Sequence, residues 1–350
     1  MIAEVSLPKL QYPDNKSIVH FSDEAQRRIA TLPRIQAVGL TTILPLAGTN
    51  SDSSFAIEGR ADDRNTPGPD EEKREVSPDY FRAIGTPLIR GRFFTEADNA
   101  DAPLVIIVNQ TFARKFWPNE DAVGKRIVMG GMSPDPKWIT IVGIVGDIRH
   151  AALDVEPKPE MYLPFAQDPY KSMIFAVRGT QDARTLASAI RSHIQSIDPG
   201  LPLANIRTFD AVIAESVAPR RLSVALLGVF AAVAVLLATV GIYGVMSFLV
   251  VQRTHEIGVR MALGAQRADV MRLMIGRALK LIAIGTAIGL LMALFSTRAL
   301  QALLYGVSAV DLPTFFFVTF VLGLVALAAS YLPAQRATRA DPMIALSHNI

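Results

Sequence analysis

The chain has 350 residues, 35 Lys/Arg against 32 Asp/Glu, and no cysteine. Near-balanced charge gives no argument for nucleic-acid binding, and the missing thiols exclude disulfides, thiolate chemistry and every zinc site that needs Cys. Residues 1–221 hold 26 Lys/Arg and 28 Asp/Glu and the remainder only 9 and 4, so a polar, near-neutral half precedes an apolar, basic one and two domains are expected.

Met1–Leu10 has neither a basic n-region nor a long apolar core, so no signal peptide is read there. In chain order, Ile2–Leu7 reads as a strand, Asp23–Leu32 as a helix and Val38–Ile43 as a second strand before a Pro45-Leu46-Ala47-Gly48 turn. A middle block, about 50–168, is rich in strands such as Val105–Val108 and Trp138–Val145. Beyond it, Met173–Val177 reads as a strand, Ala183–Ile197 as a helix and Leu203–Arg207 as a strand. Two strand-helix-strand units thus flank the middle block, and strand order is not readable.

No catalytic constellation emerges. Asp79, Tyr80, Arg82 and Arg92 cluster in sequence but read as a core aromatic beside a solvated turn. His20, His150 and His193 are scattered, with no acid or nucleophile arrangement around them. Phe112, Phe116 and Trp117 share one helix face and read as core, and Asn109-Gln110-Thr111 matches a glycosylation sequon at a strand-to-helix turn. No G-x-x-x-x-G-K-[ST] run occurs, so ATP hydrolysis is expected in a separate subunit. No catalytic, cofactor-binding or metal-binding residues are assigned.

Leu222–Val251 carries no charge over its whole length, more than the roughly 20 apolar residues that cross a bilayer. Ala278–Thr297 is interrupted only by Lys280, whose stem can snorkel, and Leu312–Leu332 is uncharged. Three spans are expected. Between the first two lie Arg253, Arg260, Arg267, Arg272, Arg277 and Lys280 against Glu256 and Asp269, and after the third come Arg336 and Arg339. The positive-inside rule places both basic segments in the cytoplasm and the N-terminal half outside. Arg220 and Arg221 are the opposing signal, outnumbered by the loop. No ionisable group sits mid-span, which argues against a proton-coupled transporter. Gly285, Gly289 and Ala293 make a small-xxx-small stripe for close helix packing.

The cytoplasmic loop is the most loaded segment. Arg253, Arg260 and Arg267 recur at heptad spacing, Glu256 precedes Arg260 in the favourable ion-pair order, and Ile257 and Met261 share a face before Gly264 interrupts. Such an amphipathic helix suits two roles, resting on anionic lipid or docking a cytoplasmic partner.

Arg253-x-x-Glu256-Ile257-Gly258-x-Arg260-x-Ala262-x-Gly264-Ala265 closely resembles the coupling-helix region of FtsX-like permeases, the membrane subunits of MacB-type ABC transporters. The ending YLPAQRATRADPMIAL looks like theirs, and EVSPDYFRAIGTPLIRGRFF with VIIVNQTFARKFWPNEDAVGKRI resembles the MacB-like periplasmic core domain. The resemblance implies an α+β extracytoplasmic domain over 1–219, with a porter-like part from 1–45 and 170–215 and an inserted lobe over 50–168. An all-α membrane domain with three transmembrane helices follows over 220–350, in the bacterial inner membrane. The implied partners are a cytoplasmic ABC ATPase touching Arg253, Glu256, Ile257, Arg260, Met261 and Gly264, a second permease half or homodimer, membrane lipid and a periplasmic adaptor. The implied task is export of lipoprotein, peptide or drug-like molecules. A mechanical signalling subunit acting on a cell-wall hydrolase and an inactive truncated remnant are the alternatives. Family members carry a span before the periplasmic domain, so a chain lacking that span, most of one half of a longer permease, is expected.

Overall fold

The computed structural model describes residues 1–60, 68–130 and 135–252, and beyond them residues 259, 266, 272, 276, 279–280, 283–293, 295 and parts of 316–329. Its elements begin with β1 (Ile2–Ser6), α1 (Asn15–Ala30), β2 (Ile35–Thr41), β3 (Asp52–Ile57), β4 (Asp70–Val76), α2 (Tyr80–Ile84), β5 (Leu88–Gly91) and β6 (Val105–Asn109). They continue with α3 (Gln110–Phe116), β7 (Arg126–Met129), β8 (Ile139–Val145), β9 (Glu160–Pro164), β10 (Ser172–Gly179), α4 (Ala183–Gln195), β11 (Leu203–Arg207) and α5 (Phe209–Gln252). The chain divides into two units, Met1–Pro219 and Arg220–Ile350.

In the first unit the two ends of the chain build one antiparallel sheet, β11-β1-β10-β2. The register Val5↔Met173 and Val38↔Val177 joins residues far apart in sequence. Two strand-helix-strand halves interleaved in this way give a ferredoxin-like arrangement. Alternation sorts the faces: Ala3, Val5, Met173, Phe175 and Val177 turn toward α1 and α4, while Ile2 and Ile174 turn to the opposite face. There Leu44, Leu46 and the first residues of α5, Phe209, Val212 and Ile213, cover them.

Helix α1 starts well before the expected Asp23. Asp14 caps it, its carboxylate accepting from Ser17 N–H at 2.8 Å, and Ile18, Phe21, Ala25 and Ile29 form the buried stripe. Helix α4 begins where expected because Asp182 accepts from the Arg184 and Thr185 N–H groups and Leu186, Ile190 and Ile194 supply the apolar face.

The middle block closes a circuit of strands: β4-β3-β7-β8-β6-β9 and back to β4. Closure leaves these six strands no free edge within the ring. Phe55, Ile106, Val108, Ile127 and Ile141 fill it together with Phe112, Phe116 and Trp117 of α3 and its cap. The circuit meets the end-built sheet through the ladder pair Thr41↔Val76, through backbone bonds beside it such as Ser77 N–H to the Leu40 carbonyl at 3.0 Å, and through α2, which packs on β2 at Gly39.

Helix α5 begins at Phe209, ahead of the expected span start at Leu222, because Thr208 starts the turn and the helix continues through Pro219 into the apolar run. Its stretch Phe209–Val245 is long and apolar enough to cross a membrane. Ala283–Ala293 and Thr319–Ala329 are shorter apolar helices inside the other two expected spans.

Candidate functional site

Strand β4 (DEEKREV) has six charged side chains, yet it lies between β3 and β9. Its parallel register sets Glu72 opposite Glu160 and Arg74 opposite Tyr162. Two carboxylates facing each other in a buried strand pair repel unless cations stand between them. Arg74, 0 % exposed, does this: its Nη2 is 2.7 Å from Glu72 Oε2 and its Nη1 3.6 Å from Glu160 Oε1. Lys158 Nζ adds a contact to Glu72 at 3.4 Å, and the Tyr162 hydroxyl donates to Glu160. His150 Nε2 lies 3.3 Å from the second Glu160 oxygen. Neither imidazole nitrogen, nor Arg74 Nε or Nη1, makes a hydrogen bond among the described residues.

Burial alone would lower the Arg74 pKa, but Glu160 and Glu72 outweigh it and hold the guanidinium charged. Burial alone would raise Glu72, but the hydrogen bond and charge of Arg74 together with those of Lys158 outweigh it, so its carboxyl sits below the usual range. Burial, then Glu160, pushes the Tyr162 phenol well up. The cluster is therefore a neutral-hydroxyl, fixed-charge seam with a histidine at its margin. Nothing in it forms a nucleophile–base–acid sequence, and no group of three metal-ligating side chains occurs among the described residues.

A second polar node flanks it. Asn109, fully buried, accepts from Phe112 N–H at 2.8 Å and Glu160 N–H at 3.0 Å and donates to the Lys158 carbonyl at 2.7 Å. The sequon asparagine is thus the N-cap of α3 with its amide nitrogen engaged, not an exposed glycan acceptor. The signal that could have shown this was present: an Asn directly before a helical apolar face is a capping residue.

The remaining candidates fall apart spatially by role. Tyr80 is buried beside Phe81, Arg82 and Asp79 form an exposed pair at 3.0 Å, and Arg92 grips Asp98 with two bonds of 2.7 and 2.8 Å. Arg253, Glu256, Ile257, Arg260, Met261 and Gly264 lie outside the described residues. Gly285, Gly289 and Ala293 sit on the helix Ala283–Ala293, and a Cβ on either glycine would meet nothing within 4 Å among the described residues.

The described residues thus comprise an α+β domain followed by a helix long and apolar enough to cross a membrane. It belongs to the MacB-like periplasmic core domain family, whose model matches residues 11–193, and its residues 228–342 match the FtsX-like permease C-terminal model. It is 26% identical over 340 residues to the pyoverdine export ATP-binding/permease protein PvdT of Pseudomonas savastanoi pv. phaseolicola, covering 92% of this chain and 49% of that protein. It is 27% identical over 287 residues to the macrolide export ATP-binding/permease protein MacB of Wolinella succinogenes, covering 78% of this chain and 43% of that protein. The chain thus spans about half the length of the curated relatives it matches. Among solved structures, the periplasmic region of MacB from Actinobacillus actinomycetemcomitans matches with a TM-score of 0.40 at 14% identity, covering 61% of this chain and 91% of that one. The extracellular domain of the noncanonic transporter YknZ from Gram-positive bacteria matches with a TM-score of 0.37 at 14% identity, covering 58% and 99%.

Proposed function

We propose that this chain is a permease component of a MacB-type ABC transporter in the bacterial inner membrane. The observation that carries the reading is the pairing of the two family matches in one chain, the periplasmic core over 11–193 and the permease over 228–342. In this reading 1–219 is the extracytoplasmic domain, with 1–45 and 170–215 porter-like and 50–168 the inserted lobe. The part from 220 to 350 is an all-α membrane domain with spans near 222–251, 278–297 and 312–332, and the loop after the first span is cytoplasmic.

ATP is hydrolysed by a separate ATPase subunit docked on Arg253, Glu256, Ile257, Arg260, Met261 and Gly264. Ile257 and Met261 fill an apolar cleft while Arg260 pairs with acidic groups at its rim, so the apolar anchors carry more of the binding than the rim charge. The subunit's stroke passes through helices without charged midpoints to the outer domain. Gly285, Gly289 and Ala293 let the second span approach a neighbour closely, in this chain or a second permease half. The cargo moved outward is a lipoprotein, a peptide or a drug-like molecule, with a periplasmic adaptor completing the path, and relatives named for pyoverdine and macrolide export support the outward direction.

The test is Ile257→Asp against Arg253→Ala in the chain reconstituted in lipid with its co-purified ATPase. Ile257→Asp should abolish complex formation and stimulated ATP hydrolysis, and Arg253→Ala should weaken them mildly. Unchanged coupling in Ile257→Asp refutes the docking role and leaves the lipid-lying helix as the better account.

A further inference from the structure

The turn between β2 and β3 is held from two sides. On one side it is tied to the strand circuit. Thr42 N–H donates to the Glu75 carbonyl at 3.1 Å and its hydroxyl to Glu75 Oε2 at 2.7 Å, and Leu46 N–H donates to the His150 carbonyl at 2.8 Å. On the other side Leu44 and Leu46 are packed with Ile2 against Phe209, Val212 and Ile213, the root of α5. Leu46 itself sits at φ 65°, a left-handed conformation that a branched, Cβ-bearing residue adopts only when its surroundings impose it. Its N–H is fixed by His150 and its side chain by the α5 root, so the two attachments together impose the strain.

Both residues that hold the turn belong to the buried ionic seam or adjoin it. Glu75 is next to Arg74 on β4 and takes a contact from Lys73 at 2.9 Å. His150 reaches Glu160 only through a 3.3 Å approach, with no hydrogen bond at either ring nitrogen among the described residues. Glu160 is thus the one carboxylate that Arg74, Tyr162 and His150, whose carbonyl pins Leu46, have in common.

We propose that Thr42–Leu46 is a two-position joint coupling the buried Arg74–Glu160–His150 seam of the strand circuit to the root of α5. With the seam closed, Leu46 stays left-handed and its side chain bears on Val212. With Glu160 drawn away from His150, the Leu46 N–H is released, the residue relaxes to an ordinary conformation, and Leu44 and Leu46 loosen from the helix root. The joint deepens the relay reading above and rests on it for its purpose, but its existence is tested without ATP or a partner subunit.

The experiment is hydrogen–deuterium exchange by mass spectrometry on the full chain in lipid nanodiscs. It follows peptides over 42–48 and 207–215, with α4 as the internal control. Glu160→Gln keeps the side-chain shape and removes the charge, and should speed exchange at both sites about tenfold while α4 is unchanged. In a Leu46→Gly background, where the left-handed turn no longer strains, Glu160→Gln should add nothing further at 207–215. Faster exchange confined to 149–163, with 207–215 at the wild-type rate, overturns the proposal. If Glu160→Gln loosens α4 as well, the milder Lys158→Ala, which frees Glu72 to draw Arg74 off Glu160, is read in its place. Two- to threefold faster exchange at both sites supports the joint, and wild-type exchange at 207–215 overturns it. Loss of ATPase docking in the Ile257 experiment would leave these exchange rates untouched, so the two failures are distinguishable.

Discussion

Replacing Asn109 by Ala should be among the most destabilising single changes in the strand circuit. The side chain makes three bonds at a site that is 0 % exposed. Loss of the α3 cap to Phe112 costs about 1 kcal/mol. The Glu160 N–H is left buried without an acceptor, at about 1–3 kcal/mol, and the part-buried Lys158 carbonyl loses a bond worth about 0.5–1.5 kcal/mol. Together these predict a loss of about 3–5 kcal/mol, a large share of a domain's stability. The two tryptophans allow a clean readout: with Trp138→Phe, the fluorescence of Trp117, buried beside α3, follows urea unfolding in detergent. Asn109→Ser retains an oxygen able to cap Phe112 and should fall between wild type and Ala. A loss below about 1 kcal/mol for Asn109→Ala would refute the three-bond accounting.

The Asp98 carboxyl lies below its usual range because Arg92 donates two bonds to it, aided by Thr95 N–H at 2.8 Å. Its folded pKa is below its unfolded value of about 3.9, so this stabilisation is full above that pH and is lost as pH falls through the folded value. Wild type should melt higher than Asp98→Asn at pH 7, by the equivalent of about 1–3 kcal/mol, with the gap closing below about pH 4; a constant gap down to pH 3 sinks the assignment. A Cβ on Gly39 would fall on Tyr80 Cα and 2.9 Å from its N, both backbone atoms of α2. Gly39→Ala should therefore lower the melting temperature through about 1–3 kcal/mol of overpacking, and an unchanged melting curve would show that α2 yields freely. Because the chain has no cysteine, Ser308→Cys and Gln266→Cys report topology without background: an impermeant maleimide on intact cells should label 308 and spare 266, and the reverse pattern inverts the orientation.

Local signals carried much of the secondary structure. Helix α4 was legible because Asp182 precedes it and Leu186, Ile190 and Ile194 recur along one face. The start of α1 was not, since Asn15, Lys16 and Ser17 carry no apolar signal and the expected helix began only at Asp23, whereas the Asp14 cap and the buried Ile18 and Phe21 together set the true start. Strand β4 escaped because six of its seven residues are charged, and only pairing on both sides with β3 and β9 explains their burial. Strand β5 escaped for the opposite reason: all its residues are exposed, and its single partner is β8. Strand order and the circuit that β9 closes on β4 rest on contacts between distant residues, which no local pattern encodes. The seam around Arg74 was invisible for the same reason, as Glu160 and His150 become its neighbours only through the β4–β9 register.

The end-built sheet sets an order on the chain's own synthesis. β1 leaves the ribosome with no strand to join and β2 with only the Thr41↔Val76 pair to β4, since their common partner β10 is made only after the whole strand circuit. The circuit contains all its own partners and can close while the first two strands still wait. Their open edges, Ile2 to Ser6 and Ile35 to Thr41, are then templates for a stranger's strand for as long as translation of residues 42–179 lasts. Slow codons or a chaperone's occupancy would matter most in that interval, which closes when β10 pairs with both strands and leaves the other side of β1 to β11.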